Sequence, residues 1–348
     1  MASHLKVYDE NAVRILCSSR LGEKKAWQSM ALLDTKINVQ QALIDAAQFG
    51  IRYVLLGICE DIGPRANLGT GGADKAWPAF LKHFLNQPHN QFIATQKVLL
   101  LGEVNTDDLM EKSNLLNNQQ PEQLVKLRDL CRQLDERVEL ILSLIFKAGL
   151  EPIVIGGGHN NCLGIIRALS KSENTPINAI NFDPHADFRE CEGRHSGNGF
   201  RYAYNEQHLN SYHVIGLHEL KNNQAIINAM TEANFNFTSY QSIKVRREVT
   251  LSDAVSHSIN NFSSAPLGIE VDLDSITYMP VSAYNCSGFN VSDAEHFVHL
   301  AASNRNAKYL HLCEAAPSEH PSGLNFGMIY SGQIISALTN SYLQAKEL

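Results

Sequence analysis

Short runs of consecutive apolar residues alternate along this chain with longer stretches in which apolar residues recur at helical spacing. The short runs are typical of buried strands, and the longer stretches are typical of amphipathic helices. Strands are predicted at residues 53–58, 97–102, 152–155, 177–182, 212–216, 266–274 and 308–314. Helices are predicted at residues 39–49, 123–147, 162–170, 225–231, 293–303 and 329–344.

This alternation of strands and helices predicts βαβ units and therefore an α/β fold with a mostly parallel sheet. The 348 residues suffice for one large domain, and no repeat or linker divides them. We therefore expect a single domain over residues 1–348, in which residues 1–50 form an N-terminal extension and a helix packed on it. The polar stretch at residues 105–120 is predicted to be a loop.

The most informative stretch follows the apolar run at residues 177–180. Asp183, His185 and Asp187 stand at alternate positions there. On an extended strand such residues point to one face, about 7 Å apart. Their convergence without a cation would carry a high cost in desolvation and repulsion, so this pattern predicts a metal site.

Two further predicted strands end in metal-type ligands. His159 follows a triple glycine after the strand at 152–155, and Glu270 and Asp272 lie near the end of the strand at 266–274. Sites in open parallel sheets lie beyond the carboxyl ends of the strands, so these groups are expected to meet. Four carboxylates and two imidazoles suit two divalent cations with shared carboxylates, and with few thiolates nearby Mn²⁺ fits better than a structural Zn²⁺.

Composition and charge exclude several other classes of function. The net charge is −7 at pH 7, which does not favour a partner such as nucleic acid or an anionic membrane. No apolar run is long enough for a membrane span, and the first residues lack the apolar segment of a signal peptide. The seven cysteines form no C-x-x-C pair, which predicts reduced thiols and a cytoplasmic protein.

Four motifs together resemble the ureohydrolase family of arginases, agmatinases and formimidoylglutamases. They are GGGH at 156–159, DPHAD at 183–187, EVD at 270–272 and EAAP at 314–317. The resemblance covers roughly residues 53–340. It implies a three-layer α/β/α sandwich with an eight-stranded, mostly parallel sheet, two Mn²⁺ ions per subunit and a homo-oligomer, either a trimer or a hexamer. The implied reaction is hydrolysis of a C–N bond at an amidine or guanidine carbon.

The resemblance also implies a role for each candidate ligand. His159 and Asp187 would bind one ion, His185 and Asp272 would bind the other, and Asp183 and Glu270 would bridge the two. The family usually has Asp at the position of Glu270, and Glu is one methylene longer.

Two acids are assigned catalytic roles by the same resemblance. Asp187 would steer the proton of the attacking water towards the leaving amine. Glu314 would hold the cationic amidine or guanidinium end of the substrate through a charge-assisted hydrogen bond.

The segment after the DPHAD motif separates members of the family. Arginases and agmatinases carry His-Gly there, whereas this chain has Ser196 at the His position and His195 one residue early. This resembles the Ser-Gly version of formimidoylglutamases, as does the glycine-rich loop at 61–73. This chain differs from the formimidoylglutamase pattern at 197–200, where it has Gly-Asn-Gly-Phe and that subgroup usually has Gly-Thr-Pro-Phe.

A formimidoylglutamase substrate carries two carboxylates, and arginine forks bind carboxylates bidentately. Arg189 and Arg194 flank the exit of the metal strand and are therefore predicted to bind the substrate. Ser196 and Asn198, in the Ser-Gly segment, are predicted to line the same site.

The favoured hypothesis is a Mn²⁺ hydrolase that converts N-formimidoyl-L-glutamate to L-glutamate and formamide, a step of histidine degradation. A second hypothesis is an arginase or another guanidine hydrolase, in which His195 serves as the catalytic proton shuttle. A third is a metal-deficient, non-catalytic relative, because Glu270 replaces the usual Asp.

Overall fold

A ten-stranded sheet runs through the part of the chain that this computed structural model describes, residues 4–33 and 38–347. Its strands are β1 Leu5–Val7, β2 Ala31–Leu32, β3 Tyr53–Ile58, β4 Val98–Val104, β5 Glu151–Ile155, β6 Ile177–Phe182, β7 Leu209–Leu217, β8 Asn236–Ser239, β9 Leu267–Asp272 and β10 Ala307–Cys313. The sheet order is β1-β4-β3-β5-β10-β9-β6-β7-β8, and β2 also pairs with β4.

The eight strands from β4 to β8 in this order are all parallel to their neighbours. They form the eight-stranded parallel sheet that the family resemblance implies. The count rises to ten because β1 pairs antiparallel with β4, and the two-residue β2 pairs parallel with it. Both additions come from the N-terminal segment, whose short strands have no extended apolar run.

Twelve helices accompany the sheet in the described residues. They are α1 Glu10–Leu16, α2 Val39–Gln48, α3 Ile62–Ala66, α4 Ala76–Phe84, α5 Asp107–Asn114, α6 Pro121–Lys147, α7 Cys162–Glu173, α8 Gly199–Asn205, α9 Gln224–Glu232, α10 Leu251–Asn261, α11 Val291–Ala302 and α12 Leu324–Glu347. None of them is long and apolar enough to cross a membrane.

Two hydrophobic cores cover the two faces of the sheet, so the protein has the expected three layers. Helices α6 and α7 contribute to one core, and α4, α11 and α12 contribute to the other. Central strands such as β3 and β6 are buried along their whole length, because they are covered on both faces. This burial explains why their sequences are continuous apolar runs rather than alternating ones.

Two elements depart from the sequence prediction. The stretch at 105–120 was predicted to be a loop, and this is wrong because it contains α5, which begins with two acidic residues and buries Leu109. Strand β8 was not predicted, since it lies at the sheet edge and two of its four residues are exposed. The prediction of unpaired thiols is confirmed, as all seven cysteines are free.

Candidate metal centre

Four neighbouring strands in the middle of the sheet carry the candidate residues at their carboxyl ends. The sheet order places β5, β10, β9 and β6 side by side. His159 follows β5, Glu314 follows β10, Asp272 ends β9 and Asp183 follows β6. Because all four strands are parallel, their ends meet at one edge and bring these side chains together.

The first cluster surrounds the His159 imidazole. Its Nδ1 lies 3.3 Å from Asp183 Oδ2, 2.9 Å from Asp187 Oδ2 and 3.4 Å from Asp272 Oδ2. One ligand atom from each of these four residues falls within 4.8 Å of the others. This group has the size and the composition of a site for one divalent cation.

The second cluster shares Asp183 with the first. His185 Nδ1 lies 3.0 Å from Asp274 Oδ2 and 3.6 Å from Asp183 Oδ1. The three residues form a second group of candidate ligands. Two adjacent groups with a common carboxylate are the arrangement that a pair of metal ions requires.

Glu270 is absent from both groups, and Asp274 stands where a second carboxylate was expected. Glu270 Oε2 lies 3.5 Å from Nε2 of His159, on the side of the ring opposite the metal-facing Nδ1. Two residues of strand span about 7 Å, so Glu270 lies one layer below Asp272. The assignment of Glu270 as a bridge is therefore corrected. Strand β9 ends at Asp272, and the 3₁₀ turn Leu273–Ser275 supplies Asp274 instead.

The DPHAD motif also has a different conformation from the expected extended strand. Strand β6 ends at Phe182, and the backbone then bends so that the His185 N–H donates to Asp183 Oδ1 at 2.6 Å. Asp187 has a φ of 45°, in the left-handed region. Asn222 holds this bend, since it accepts from the Ala186 N–H and donates to the Pro184 carbonyl, both at 2.9 Å. The ligands converge through this bend rather than through strand alternation.

The chemistry of the two groups fits divalent cations. His159 Nδ1 and Asp274 Oδ1 are buried and make no hydrogen bond to any described residue. Burial and the neighbouring carboxylates raise the pKa of Asp187 and Asp272, because this many acids cannot ionise together without positive charge. Neither group contains a thiolate, and a set of carboxylates with imidazole suits Mn²⁺.

A buried acid that the sequence did not reveal supports the loop of His159. Glu60 accepts hydrogen bonds from the Gly158 N–H at 2.7 Å, the Ile62 N–H at 2.7 Å and the Asn161 amide at 2.8 Å. Gly157 has a φ of +71°, and a Cβ there would lie 2.6 Å from Glu60 Oε1. The glycines of GGGH therefore allow the backbone to wrap closely around this carboxylate.

Glu314 lies at the wall of the same site. Its Oε1 accepts the His159 N–H at 2.8 Å, and its own N–H donates to the Gly157 carbonyl at 2.9 Å. Burial raises the pKa of Glu314 to about 8. The contacts of the described residues leave Oε2 available to a ligand.

A cleft of about 640 Å³ opens above the two clusters. Its lining includes three buried or half-buried acids and two cations, of which one is exposed and one half-buried: Asp187, Asp274, Glu314, Arg189 and Lys221. Lys221 was not singled out in the sequence, because nothing in its local pattern distinguishes it from a surface lysine. The lining thus combines Glu314 and acids of the two clusters with two cations that belong to neither cluster.

Three of the five predicted substrate-binding residues outside the metal ligands line this cleft, namely Arg189, Ser196 and Glu314. The Ser196 hydroxyl accepts a hydrogen bond from the Asn67 amide at 3.3 Å, and Asn67 also lines the cleft. The backbone N–H of Arg189 donates to the Gly197 carbonyl at 3.0 Å. These contacts hold the Ser-Gly segment against the cleft wall.

Arg194 does not face the cleft, which corrects its predicted role in binding substrate. Its side chain is buried and donates to Asp135 on α6, to the Asn160 carbonyl and to the Asn198 amide oxygen. An arginine with all its donors used in the core cannot reach a substrate carboxylate. No feature of the local sequence distinguishes it from Arg189.

His195 and Asn198 are also buried outside the cleft lining. Asn198 donates to the carbonyls of Glu190 at 3.0 Å and Gly193 at 2.8 Å, so it braces the loop instead of binding a ligand. His195 Nδ1 accepts the Gly197 N–H at 3.1 Å, and burial lowers the His195 pKa to about 4. The predicted shuttle role of His195 is therefore not supported by its position.

A comparison with protein families finds one match over most of the chain. The model of the arginase family matches residues 53–331. This range contains all of the candidate ligands and the acid Glu314.

Curated relatives and solved structures agree with that match. The formimidoylglutamase of Psychrobacter cryohalolentis is 25% identical over 293 residues, covering 78% of this chain and 81% of the relative. That of Streptococcus pyogenes serotype M3 is 25% identical over 269 residues, covering 74% and 75%. The formimidoylglutamase structure from Bacillus subtilis has a TM-score of 0.68 at 16% identity and covers 94% of each chain. The formiminoglutamase structure from Trypanosoma cruzi with Mn²⁺ has a TM-score of 0.65 at 19% identity, covering 86% of this chain and 98% of the other.

Proposed function

The chain belongs to the arginase family, whose members hydrolyse C–N bonds of amidines and guanidines, and on that premise we propose that it is a manganese-dependent formimidoylglutamase. Its substrate would be N-formimidoyl-L-glutamate, and its products L-glutamate and formamide. The observation that carries this proposal is the mixed charge of the cleft lining, in which Glu314 and carboxylates of the metal clusters accompany the two cations Arg189 and Lys221. The substrate has complementary charges, a cationic amidine at one end and two carboxylates at the other.

Two manganese ions would be held by the two clusters. His159, Asp183, Asp187 and Asp272 would hold one, and Asp183, His185 and Asp274 would hold the other. Bound there, a pair of divalent ions supplies an activated water that acts as a nucleophile near neutral pH.

The side chains of the cleft have distinct tasks in the reaction. Glu314 accepts a charge-assisted hydrogen bond from the amidinium and orients the planar carbon towards the water. The water oxygen bonds to that carbon, and the bond from the carbon to the glutamate nitrogen breaks. Asp187, which lines the cleft, accepts a proton from the water and passes it to the leaving nitrogen.

Arg189 and Lys221 would bind the two carboxylates of the substrate. Arg189 is exposed and has one ion-pair contact, with Glu192 at 3.5 Å. Lys221 is half-buried, and its ammonium has no partner among the described side chains. Cations with weak or no internal partners are available to an anionic ligand.

The two other hypotheses receive less support. A guanidine hydrolase with His195 as its proton shuttle would need that imidazole in the cleft lining, which it does not join. The metal-deficient hypothesis depends on Glu270 as a faulty bridge, whereas Asp274 supplies a carboxylate of ordinary length to the second cluster.

A panel of substrates tests this proposal. The protein is loaded with Mn²⁺ and assayed with N-formimidoyl-L-glutamate, L-arginine and agmatine. We expect release of formamide and glutamate from the first compound and negligible turnover of the other two. Turnover of arginine or agmatine alone would contradict the substrate assignment but not membership of the family.

A further inference from the structure

A buried carboxylate that the proposed reaction does not use lies directly beneath the first metal cluster. Glu270 is 0% exposed and accepts a hydrogen bond from the Tyr309 hydroxyl to Oε1 at 2.6 Å. Its other oxygen, Oε2, lies 2.6 Å from Nδ1 of His311. Both partners are on β10, and both are fully buried.

The same Oε2 faces the ring of His159. It lies 3.5 Å from His159 Nε2, an ion-pair distance rather than a hydrogen bond, and Nε2 makes no hydrogen bond to any described residue. The opposite nitrogen, Nδ1, faces the carboxylates of the first cluster. The imidazole therefore stands between the cluster on one side and Glu270 on the other.

A carboxylate at this distance acts on the ring of a metal-binding histidine through its negative charge. A carboxylate next to one ring nitrogen favours the tautomer that carries the proton there, and it leaves the lone pair of the other nitrogen for the metal. Here the proton would lie on Nε2 and the lone pair on Nδ1. The His311 contact holds Oε2, the oxygen that faces His159, whereas the Tyr309 hydroxyl satisfies the other oxygen, Oε1.

Fold stability alone does not require such a group. Replacing a buried ionic cluster by apolar side chains of similar volume is often neutral or stabilising, so a charge in this position calls for another role. His185, the histidine of the second cluster, has no corresponding carboxylate beneath it, since its described ion-pair partners are Asp183 and Asp274 within the cluster itself.

We propose that Glu270 is a positioning residue that holds His159 in its metal-binding tautomer. It thereby raises the affinity for the ion bound at His159 relative to the affinity for the ion bound at His185. The inference rests on the proposed two-manganese site. Glu270 would thus affect metal binding through His159 without being a metal ligand.

Titration of the metal-free protein with Mn²⁺, followed by electron paramagnetic resonance of the free ion, tests this inference. In the Glu270→Gln variant we expect one of the two ions to bind about 10- to 100-fold more weakly, while the other changes by less than about threefold. The titration should therefore become biphasic. Equal weakening of both ions, or of neither, would overturn the inference.

Tyr309→Phe provides a matched control in the same cluster. It removes the hydrogen bond to Oε1 but leaves Oε2 facing His159, so both affinities should stay within about threefold of the wild type. If Tyr309→Phe produced the same loss as Glu270→Gln, general disturbance of the core would explain both, and the positioning role would be wrong.

Glu270→Asp keeps the experiment decisive if the Gln variant folds poorly. Asp retains the negative charge but places it one methylene further from His159. The affinity for the same ion should therefore fall by a smaller factor than in the Glu270→Gln variant. A wild-type protein that bound no Mn²⁺ would contradict the proposed function. A wild type with two ions and an unaffected Glu270→Gln variant would contradict only this inference.

Discussion

The Arg194 guanidinium donates to both carboxylate oxygens of Asp135, with Nε 2.7 Å from Oδ2 and Nη2 3.2 Å from Oδ1. Both side chains are buried in the core. Arg194 Nη2 also donates to the Asn160 carbonyl at 2.9 Å. The pair thus connects α6 to the residue that follows His159, and its role is to hold the fold around the metal centre.

Arg194→Gln should accordingly reduce stability rather than substrate affinity. Loss of one partner from a buried pair leaves the Asp135 charge uncompensated, so the free energy of unfolding should fall by about 3 kcal/mol. The KM of the folded variant should stay within about threefold of the wild type, because Arg194 does not line the cleft. Urea denaturation and steady-state kinetics measure the two quantities.

Arg132→Gln is the control for this variant. Arg132 lies on α6, the helix that carries Asp135, but pairs with Asp129 and Glu136 at the surface, so its loss should cost less than about 1 kcal/mol. A tenfold or larger rise in KM for Arg194→Gln with unchanged stability would restore the original substrate-binding prediction.

Arg189 and Lys221 are expected to determine the preference for an anionic substrate. Arg189→Gln and Lys221→Gln should each raise the KM for formimidoylglutamate about 5- to 10-fold, the effect of one partly exposed charge pair of about 1 kcal/mol. The turnover number should change little, since neither group contacts the reacting atoms.

An analogue without the α-carboxylate, 4-(formimidoylamino)butyrate, identifies which cation binds which carboxylate. With this analogue, the variant of the cation that binds the α-carboxylate should no longer raise the KM. The other variant should still raise it. Lys147→Gln, an exposed lysine at the opposite end of the sheet, serves as the charge-matched control. Equal effects of all three lysine and arginine variants would point to a general change of charge and contradict specific contacts.

Glu314→Gln should lower kcat/KM about 100-fold, because the charge-assisted hydrogen bond to the amidinium is lost. Glutamine keeps an oxygen that can accept the His159 N–H, so Mn²⁺ binding should be retained. Glu319→Gln, at an exposed position a few residues further on, should behave as the wild type. A Glu314→Gln enzyme with nearly normal kcat/KM would remove Glu314 from the mechanism.

His213 predicts a pH dependence of stability that is separate from the metal centre. Burial lowers its pKa to about 4, and its Nε2 lies 3.0 Å from the Thr238 hydroxyl. The folded protein therefore keeps His213 neutral at a pH where the unfolded chain, with a pKa of about 6.5, already binds a proton. Stability must then fall as the pH falls below about 6.5.

His213→Gln removes this effect. Between pH 7 and 5, the wild type should lose about 2 kcal/mol more unfolding free energy than the variant. Parallel urea denaturations at several pH values measure the difference, and the exposed His296→Gln should follow the wild type. Parallel pH curves for wild type and His213→Gln would refute the burial argument.

The sequence predicted much of the candidate site, because ligands that follow an apolar strand have a distinct pattern. His159, Asp183, His185, Asp187 and Asp272 are brought together in the structure, and their role as ligands stays a prediction. Glu314 also lies at the cleft as expected.

The error at Glu270 has a simple physical origin. Alternation along β9 favours residues 270 and 272 as a pair, but a site beyond the end of the sheet needs the last strand residue and the turn that follows it. Asp274 satisfies that condition, and Glu270 lies a layer too deep. Counting from the predicted end of the strand would have found Asp274.

The loop after the DPHAD motif was the least predictable part of the site. Arg189 faces the cleft and Arg194 faces the core, yet both are arginines in the same polar segment. What separates them is the buried Asp135, which lies on α6 far away in the sequence. Such long-range partners decide the direction of a side chain and leave no local pattern.

The most direct test of the two-cluster site is the anomalous scattering of manganese in crystals grown with Mn²⁺. We predict two peaks per chain, about 3.5–4 Å apart. One peak should contact His159 and Asp187, the other should contact His185 and Asp274, and neither should contact Glu270. A single peak, or a peak with Glu270 as a ligand in place of Asp274, would contradict the account.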